Sequence, residues 1–115
     1  MSAVRIFHLA ERDRWERART AGDPYVPAEF EAEGFIHCSP AHQLVATANL
    51  HYPGRRDLML LVLDAATLGD TLVWEPGTGD RAELFPHIYG PIELAAVVES
   101  RPVQPGADGA FAGLP

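Results

Sequence analysis

An uninterrupted apolar run, LMLLVL at residues 58–63, lies inside the segment DLMLLVLDA at residues 57–65. The run is far shorter than the roughly 20 residues that a membrane-spanning helix needs, and it is also too short for a typical buried helix. It therefore predicts a central β-strand that other parts of the chain cover on both faces. Because 115 residues provide material for one such core but not for two, we expect a single domain.

Strand-like and helix-like patterns alternate on both sides of this segment. In ERDRWERARTAG two acidic residues come early, two arginines come late and Gly22 comes last. This order favours a helix with Trp15 and Ala18 on its buried side. Ser39 is expected to cap a later helix whose first residue is Pro40. The patterns predict strands at residues 4–10, 35–39, 57–65, 71–75 and 93–100, helices at residues 11–22, 27–34 and 40–49, and a loop that carries FPHIYGP at residues 85–91.

This order of elements predicts an α+β fold with a mixed sheet and two or three helices. PGTGD at residues 76–80 is typical of a turn. The predicted domain covers residues 1–101. The remaining sequence has no strand or helix pattern, so we expect residues 102–115 to form a loosely ordered tail.

The charged residues exclude several functions. The chain has 16 acidic and 9 basic residues, and all of the basic ones are arginine. Without lysine, neither a lysine Schiff base nor a phosphate-binding loop of the GxxxxGK[ST] type is possible. The net charge of −7 opposes attraction to nucleic acid backbones, so a nucleic acid partner is not expected. The arginines within residues 12–19 are typical of a solvated helix face.

The first residues of the chain indicate its location, and its single cysteine limits its cross-links. The first 14 residues, MSAVRIFHLAERDR, contain neither an apolar signal core nor a small-residue cleavage site. We therefore expect a cytoplasmic protein that does not enter the membrane. Cys38 is the only cysteine, which excludes an internal disulfide, and its apolar neighbours indicate a buried structural residue.

Three of the five histidines lie beside apolar or aromatic residues. These are His8, His37 and His87, whereas His42 and His51 fall on the polar side or at the end of a predicted helix. A half-buried imidazole can transfer protons near neutral pH or bind the hydroxyl groups of a ligand. The loop around His87 contains two prolines and a glycine, as expected for a rigid functional site that also presents Tyr89.

Other interpretations of these histidines remain open. Each could be a structural residue, and the domain could be a binding module without catalytic activity. The three could also bind zinc or iron, although no compact metal motif such as HExxH is present. A serine hydrolase is a poorer interpretation, because the chain has no GxSxG elbow around Ser39 or elsewhere.

The chain also resembles a known family. The stretches RIFHLA, EGFIHCS, ANLHYPG, DLMLLVLDAATL, LVWE and FPHIYGPI, together with Trp15, resemble the bacterial family called domain of unknown function 952. The resemblance covers about residues 4–98. It implies a small cytoplasmic domain and no established reaction.

A more distant resemblance suggests an activity. The order of a strand with histidine, a helix, a strand with His-x-Ser and another helix is similar to that of the ADP-ribosyltransferase superfamily, and most similar to its RNA 2′-phosphotransferase branch. That resemblance implies a split sheet that binds NAD, with His8 on the ribose and nicotinamide side and with His37 and Ser39 lining the pocket. It leaves Glu75 and His87 as alternatives for the last catalytic residue.

Together these observations define a candidate site. The expected ligand is NAD or another nucleotide-like small molecule, and the expected reaction is transfer of ADP-ribose; no metal ligands are assigned. The catalytic candidates are His8, His37 and His87, and the substrate-binding candidates are Ser39, Trp74, Glu75 and Tyr89.

Overall fold

The computed structural model describes residues 4–77 and 83–115. Most of the turn predicted at residues 76–80 lies outside the described residues. No helix within the described part of the chain has the length and apolar character needed to cross a membrane. The strands are β1 (Arg5–Glu11), β2 (Ile36–His37), β3 (Leu58–Asp64), β4 (Leu72–Pro76), β5 (Leu84–Ile88) and β6 (Val97–Val103), and the α-helices are α1 (Arg12–Ala21), α2 (Phe30–Glu33) and α3 (Leu44–His51).

The described strands form two three-stranded antiparallel sheets, ordered β1-β3-β6 and β2-β5-β4. The predicted α+β class is confirmed, whereas the predicted mixed sheet is wrong. Strand direction depends on the path of each connection through space. Antiparallel neighbours do not need a long crossover connection, and a single sequence does not reveal which path the chain takes.

Strand β3 is the centre of the first sheet, as the apolar run predicts. Alternate side chains belong to two separate core clusters, because successive residues of a strand point to opposite faces. Leu61 and Leu63 pack with Trp15 on one face, whereas Leu58 and Leu60 pack against α3 on the other. Both faces of the first sheet are therefore covered.

Helix α1 confirms the prediction for residues 11–22 within one residue at each end. Trp15 is buried and Ala18 packs against the same cluster. Gly22 has φ 75° and donates its N–H to the last turn of the helix. This left-handed conformation suits glycine, which has no β-carbon to clash with the backbone.

The prediction that Ser39 caps the third helix is wrong. Pro40 has an extended backbone, a 3-10 turn covers Ala41–Gln43, and α3 begins only at Leu44, without a side-chain cap. Ser39 instead exchanges two backbone hydrogen bonds with Phe7 of β1, at 2.8 and 2.9 Å. Its hydroxyl donates to Thr47 Oγ1 at 3.1 Å. Ser39 therefore links the two sheets to each other and to α3.

The segment FPHIYGP is not a loop over most of its length, because β5 covers residues 84–88 and is the middle strand of the second sheet. Proline in a central strand is unusual, since it cannot donate to the sheet. Pro86 nevertheless contributes its carbonyl oxygen, which accepts a hydrogen bond from Cys38 N–H at 3.1 Å. The prolines and the glycine of this segment predicted a loop, because the sequence alone does not show that Cys38 donates to the Pro86 carbonyl.

The C-terminal part of the chain also differs from expectation. A 3-10 turn at Leu94–Ala96 precedes β6, so the last strand begins and ends later than predicted. The following segment was expected to be loose, yet Phe111 is buried against α3. Asn49 holds Phe111 with two hydrogen bonds, one to its N–H and one to its carbonyl oxygen. Burial of Phe111 and its hydrogen bonds to the Asn49 amide thus hold a segment whose sequence has no strand or helix pattern.

Candidate functional site

A cavity of about 550 Å³ opens between the first strand, the second sheet and helix α3. Ligand-binding pockets usually have volumes between about 300 and 1,000 Å³. Apolar side chains form much of the lining, including Phe7, Leu44 and Phe85. The lining also includes five histidine or glutamate side chains. These are Glu29, Glu33, His37, His51 and His87.

His37 and His87 lie directly opposite each other in the register of β2 and β5. Side chains opposite each other in an antiparallel pair project from the same face, so both rings reach the cavity. Their ring centroids are 5.3 Å apart. Phe35 stacks on His87 with a centroid separation of 4.4 Å and meets His37 edge-on at 4.7 Å. The sheet register and one aromatic ring thus bring together two of the predicted catalytic residues.

Glu75 holds His87 in a defined orientation. The Nδ1–H group of His87 donates to Glu75 Oε1 at 2.7 Å, and the hydroxyl of Tyr89 donates to the same oxygen. These hydrogen bonds, that from Tyr89 first, lower the pKa of Glu75, and the bond to Glu75 raises the pKa of Tyr89. Because Nδ1 of His87 is engaged, Nε2 is the ring nitrogen left for a ligand.

A second carboxylate holds His37. Its Nε2–H group donates to Glu33 Oε2 at the end of α2. Gly34 ends this helix with φ 84°, a conformation in which a β-carbon would be strained. That sharp turn leads directly into Phe35 and β2, and it places Glu33 and His37 on the same side. Two histidine–glutamate pairs therefore border the cavity, and Glu33, His37 and His87 of these pairs lie in its lining.

His8 does not line the cavity. It is buried on the other face of β1, where its ring lies 5.7 Å from that of Tyr25. Its Nδ1–H group donates to the backbone carbonyl of His37 at 2.7 Å. Burial lowers the pKa of His8 to about 4, so it is neutral at physiological pH. His8 can hold the backbone of His37 in place, but the cavity is lined by its neighbours Phe7 and Leu9.

The predicted substrate-binding residues are divided between the cavity and the surface. Ser39 lines the cavity, but its hydroxyl is already directed to Thr47. Glu75 and Tyr89 act on the far side of His87, and Tyr89 is 46% exposed. Trp74 is 43% exposed and alternates with Glu75 along β4, so it faces away from His87.

Several residues at the cavity are not among the sequence candidates. His51 belongs to the lining, although its position at a helix end gave no reason to include it. Glu33 precedes His37 by four residues, and the two side chains meet because the chain turns sharply at Gly34. Glu29 and Tyr52 also line the cavity. Burial raises the pKa of the Cys38 thiol, which leaves this lining residue protonated and poorly nucleophilic.

The three histidines proposed from the sequence as an alternative metal site do not converge. His8 lies on the opposite face of β1 from the cavity that His37 and His87 share. Across residues 4–77 and 83–115, no group of three or more His, Cys, Asp or Glu side chains is arranged to hold a metal ion. The described side chains therefore do not form the metal site that the sequence left open.

These features define a small α+β domain with two antiparallel sheets and a cavity bordered by paired histidine and glutamate side chains. The chain belongs to the family described as protein of unknown function (DUF952), whose model matches residues 9–100. This confirms the family predicted from the sequence motifs.

Solved structures of protein CC0527 from Caulobacter crescentus are similar to this chain. The crystal structure of CC0527 has a TM-score of 0.82 and 33% sequence identity, with 92% of this chain and 91% of that chain covered. Its solution NMR structure has a TM-score of 0.78 and 33% identity, with 92% and 90% covered. No curated protein matches the chain. The distant similarity to the ADP-ribosyltransferase superfamily stays a prediction.

Proposed function

We propose that this domain is an enzyme that binds a small molecule in the cavity and uses His87 for general acid–base catalysis. The observation that carries the proposal is the buried His87, which lines the cavity while its Nδ1–H group is held by Glu75 at 2.7 Å. A carboxylate at one imidazole nitrogen fixes the tautomer and stabilises the ring when the other nitrogen accepts a proton. His87 can then act as a base that accepts a proton at one defined atom, Nε2.

His37 supports the same chemistry from the opposite strand. Its ring centroid lies 5.3 Å from that of His87, so both rings are within reach of one small ligand. Glu33 accepts a hydrogen bond from the Nε2–H group of His37. In this tautomer Nδ1 is the nitrogen that can accept a hydrogen bond from a ligand. We assign to His37 the positioning of a ligand hydroxyl beside His87.

NAD is the substrate that we propose, with transfer of ADP-ribose as the reaction. In this reaction the bond between ribose C1′ and the nicotinamide nitrogen breaks, and its electron pair leaves with nicotinamide. An acceptor hydroxyl forms the new bond to C1′, and His87 takes the proton of that hydroxyl. Carboxylates near the cavity support this assignment because the reacting ribose develops positive charge. The proposal includes the cytoplasmic location expected from the sequence.

The first test combines ligand binding with turnover. Melting temperature is measured with NAD, ADP-ribose and AMP, because a ligand that binds only the folded state raises the melting temperature. Release of nicotinamide from NAD is measured in the same preparations. We expect NAD to stabilise the wild-type protein and His87→Gln to lower nicotinamide release at least about 100-fold, the usual size of an acid–base contribution.

His42→Gln is the matched control, because His42 is exposed and does not line the cavity. It should retain both binding and turnover. Binding of NAD without release of nicotinamide would instead favour the binding module that the sequence left open. If His87→Gln and His37→Gln both behave like His42→Gln in a folded protein, the cavity is not the active site.

A further inference from the structure

The cavity lining contains acidic side chains that no basic side chain of the described lining offsets. Two carboxylates belong to the lining, Glu29 and Glu33, whereas no arginine belongs to it among the described residues. The chain has no lysine that could supply a positive charge. Histidines in their neutral form do not offset the carboxylates. A ligand that enters this cavity therefore meets an excess of negative charge.

The guanidinium of Arg55, which lies beside the lining residue Tyr52, is already committed to other groups. Arg55 lies over the ring of Tyr52, 5.9 Å from its centroid. It donates two hydrogen bonds to Asp57 at 2.7 and 2.8 Å and lies 3.8 Å from Glu11. The pKa of Tyr52 is nevertheless raised, first by burial and next by the charge of Glu29. Arg55 thus does not reverse the negative potential on this side of the cavity.

Aromatic side chains make up another part of the wall. Phe7, Tyr52 and Phe85 all line the cavity, and Phe7 and Phe85 are almost fully buried. The faces of such rings attract cations, and the attraction is stronger when the cation is desolvated. Aromatic faces combined with carboxylates favour a soft organic cation over an anion, which would need donors or guanidinium groups.

We propose that the cavity is a recognition site for an organic cation, such as a quaternary ammonium or an N-substituted pyridinium group. This inference rests on the proposed function, in which the cavity binds a small molecule. It specifies in addition that the group bound in the cavity is positively charged. Glu29 and Glu33 supply the charge complementarity, and Tyr52 and Phe85 supply the aromatic contact. A ligand with phosphate groups would keep them outside the described lining.

Three probes of nearly equal shape test the inference. Choline is the cation, 3,3-dimethyl-1-butanol is its uncharged carbon isostere, and 3,3-dimethylbutanoate is an anion of similar size. Each is titrated into the wild-type protein at pH 8 and low salt, and amide chemical shifts are followed by NMR. We expect choline to bind at least about 5-fold more tightly than the alcohol, because the ion pair and ring contacts add to apolar burial. The anion should bind most weakly.

Variants assign the charge effect to residues. Glu29→Gln is expected to weaken choline binding about 3-fold or more and to leave binding of the alcohol unchanged. Glu33→Gln should act in the same direction. Glu31→Gln is the matched control, because Glu31 is an exposed glutamate of the same helix that does not line the cavity. It should leave the affinities for all three probes unchanged.

The outcomes separate this inference from the proposed function. If the alcohol or the anion binds as tightly as choline, the cavity is a ligand site but does not select cations, and the inference is wrong. The inference is also wrong if Glu29→Gln and Glu31→Gln have the same effect, or if none of the probes binds. The proposed function is judged separately, by nicotinamide release and the His87 variants.

Discussion

At the scale of single residues, carboxylates determine what the histidines at the cavity can do. Glu75 accepts hydrogen bonds from both His87 and Tyr89, and the lowered pKa of Glu75 keeps it ionised at neutral pH. An ionised acceptor fixes one tautomer of His87, which a neutral amide would hold less strongly. The chemistry of His87 therefore depends on β4, an element that contributes no described side chain to the cavity lining.

His8 makes stability depend on pH. Its pKa is about 4 in the folded protein because of burial, against 6.5 for an ordinary histidine. Between these values the unfolded chain binds a proton that the folded protein does not, so the free energy of unfolding decreases as the pH falls. From pH 7 to pH 5 we expect His8 to account for a loss of roughly 2 kcal/mol. Urea unfolding at both pH values measures it.

The variant His8→Asn isolates this contribution. Asparagine can still donate a hydrogen bond but does not titrate, so the change in unfolding free energy between pH 7 and pH 5 should be smaller by that amount. His42→Asn should leave the change as in the wild type, because His42 is exposed. Equal pH dependence in all three proteins would show that His8 is not buried as a neutral group.

At the scale of elements, periodicity explains which parts of the fold the sequence predicts. Strand β3 and helix α1 are predicted because an apolar run and an amphipathic segment that ends in glycine are both recognisable from a short stretch of sequence. Strand β5 is not, because Pro86 removes a donor and gives the segment the composition of a loop. The role of Pro86 depends on Cys38, 48 positions earlier, and on the path that brings β2 alongside β5.

The candidate site was predicted in part for the same reason. His37 and His87 each lie two positions from an aromatic residue in the sequence, and both line the cavity. His8 also lies near an aromatic residue in the sequence but has the opposite orientation, since only the packing of β1 decides which of its alternate faces borders the cavity. Glu33 depends on the turn at Gly34. Local sequence therefore identifies residue types, whereas register and packing determine which of them meet.

Asn49 joins α3 to the segment after β6. Its side chain donates to Phe111 O at 3.0 Å and accepts from Phe111 N–H at 2.7 Å. Asn49→Ala leaves both backbone groups without these partners, so we expect a loss of roughly 1–3 kcal/mol in the free energy of unfolding. Leu50→Ala is the control, because Leu50 is exposed, and should change stability by about 0.5 kcal/mol or less. Equal urea midpoints for the two variants would mean that the two hydrogen bonds between Asn49 and Phe111 add no stability.

At the scale of the whole molecule, the two sheets share one core although they are separate hydrogen-bonded units. Ile6 and Leu61 of the first sheet belong to the same buried cluster as Ile36 and Ile88 of the second. The backbone bonds between Phe7 and Ser39 add a direct connection. The cavity lies where the sheets meet, so a ligand there contacts side chains from both. Opening of either sheet would disrupt the shared cluster and the cavity together.

This shared core predicts that the molecule unfolds in one cooperative step, and its two tryptophans can test the prediction. Trp15 is buried against the first sheet, whereas Trp74 lies exposed on β4 of the second. Trp74→Phe leaves Trp15 as the fluorescent reporter, and Trp15→Phe leaves Trp74. In each variant we expect the urea midpoint from fluorescence to equal the midpoint from far-ultraviolet circular dichroism, because neither sheet retains a complete core without the other. A fluorescence midpoint of Trp74 below the circular dichroism midpoint of the same variant would instead show that the second sheet opens first.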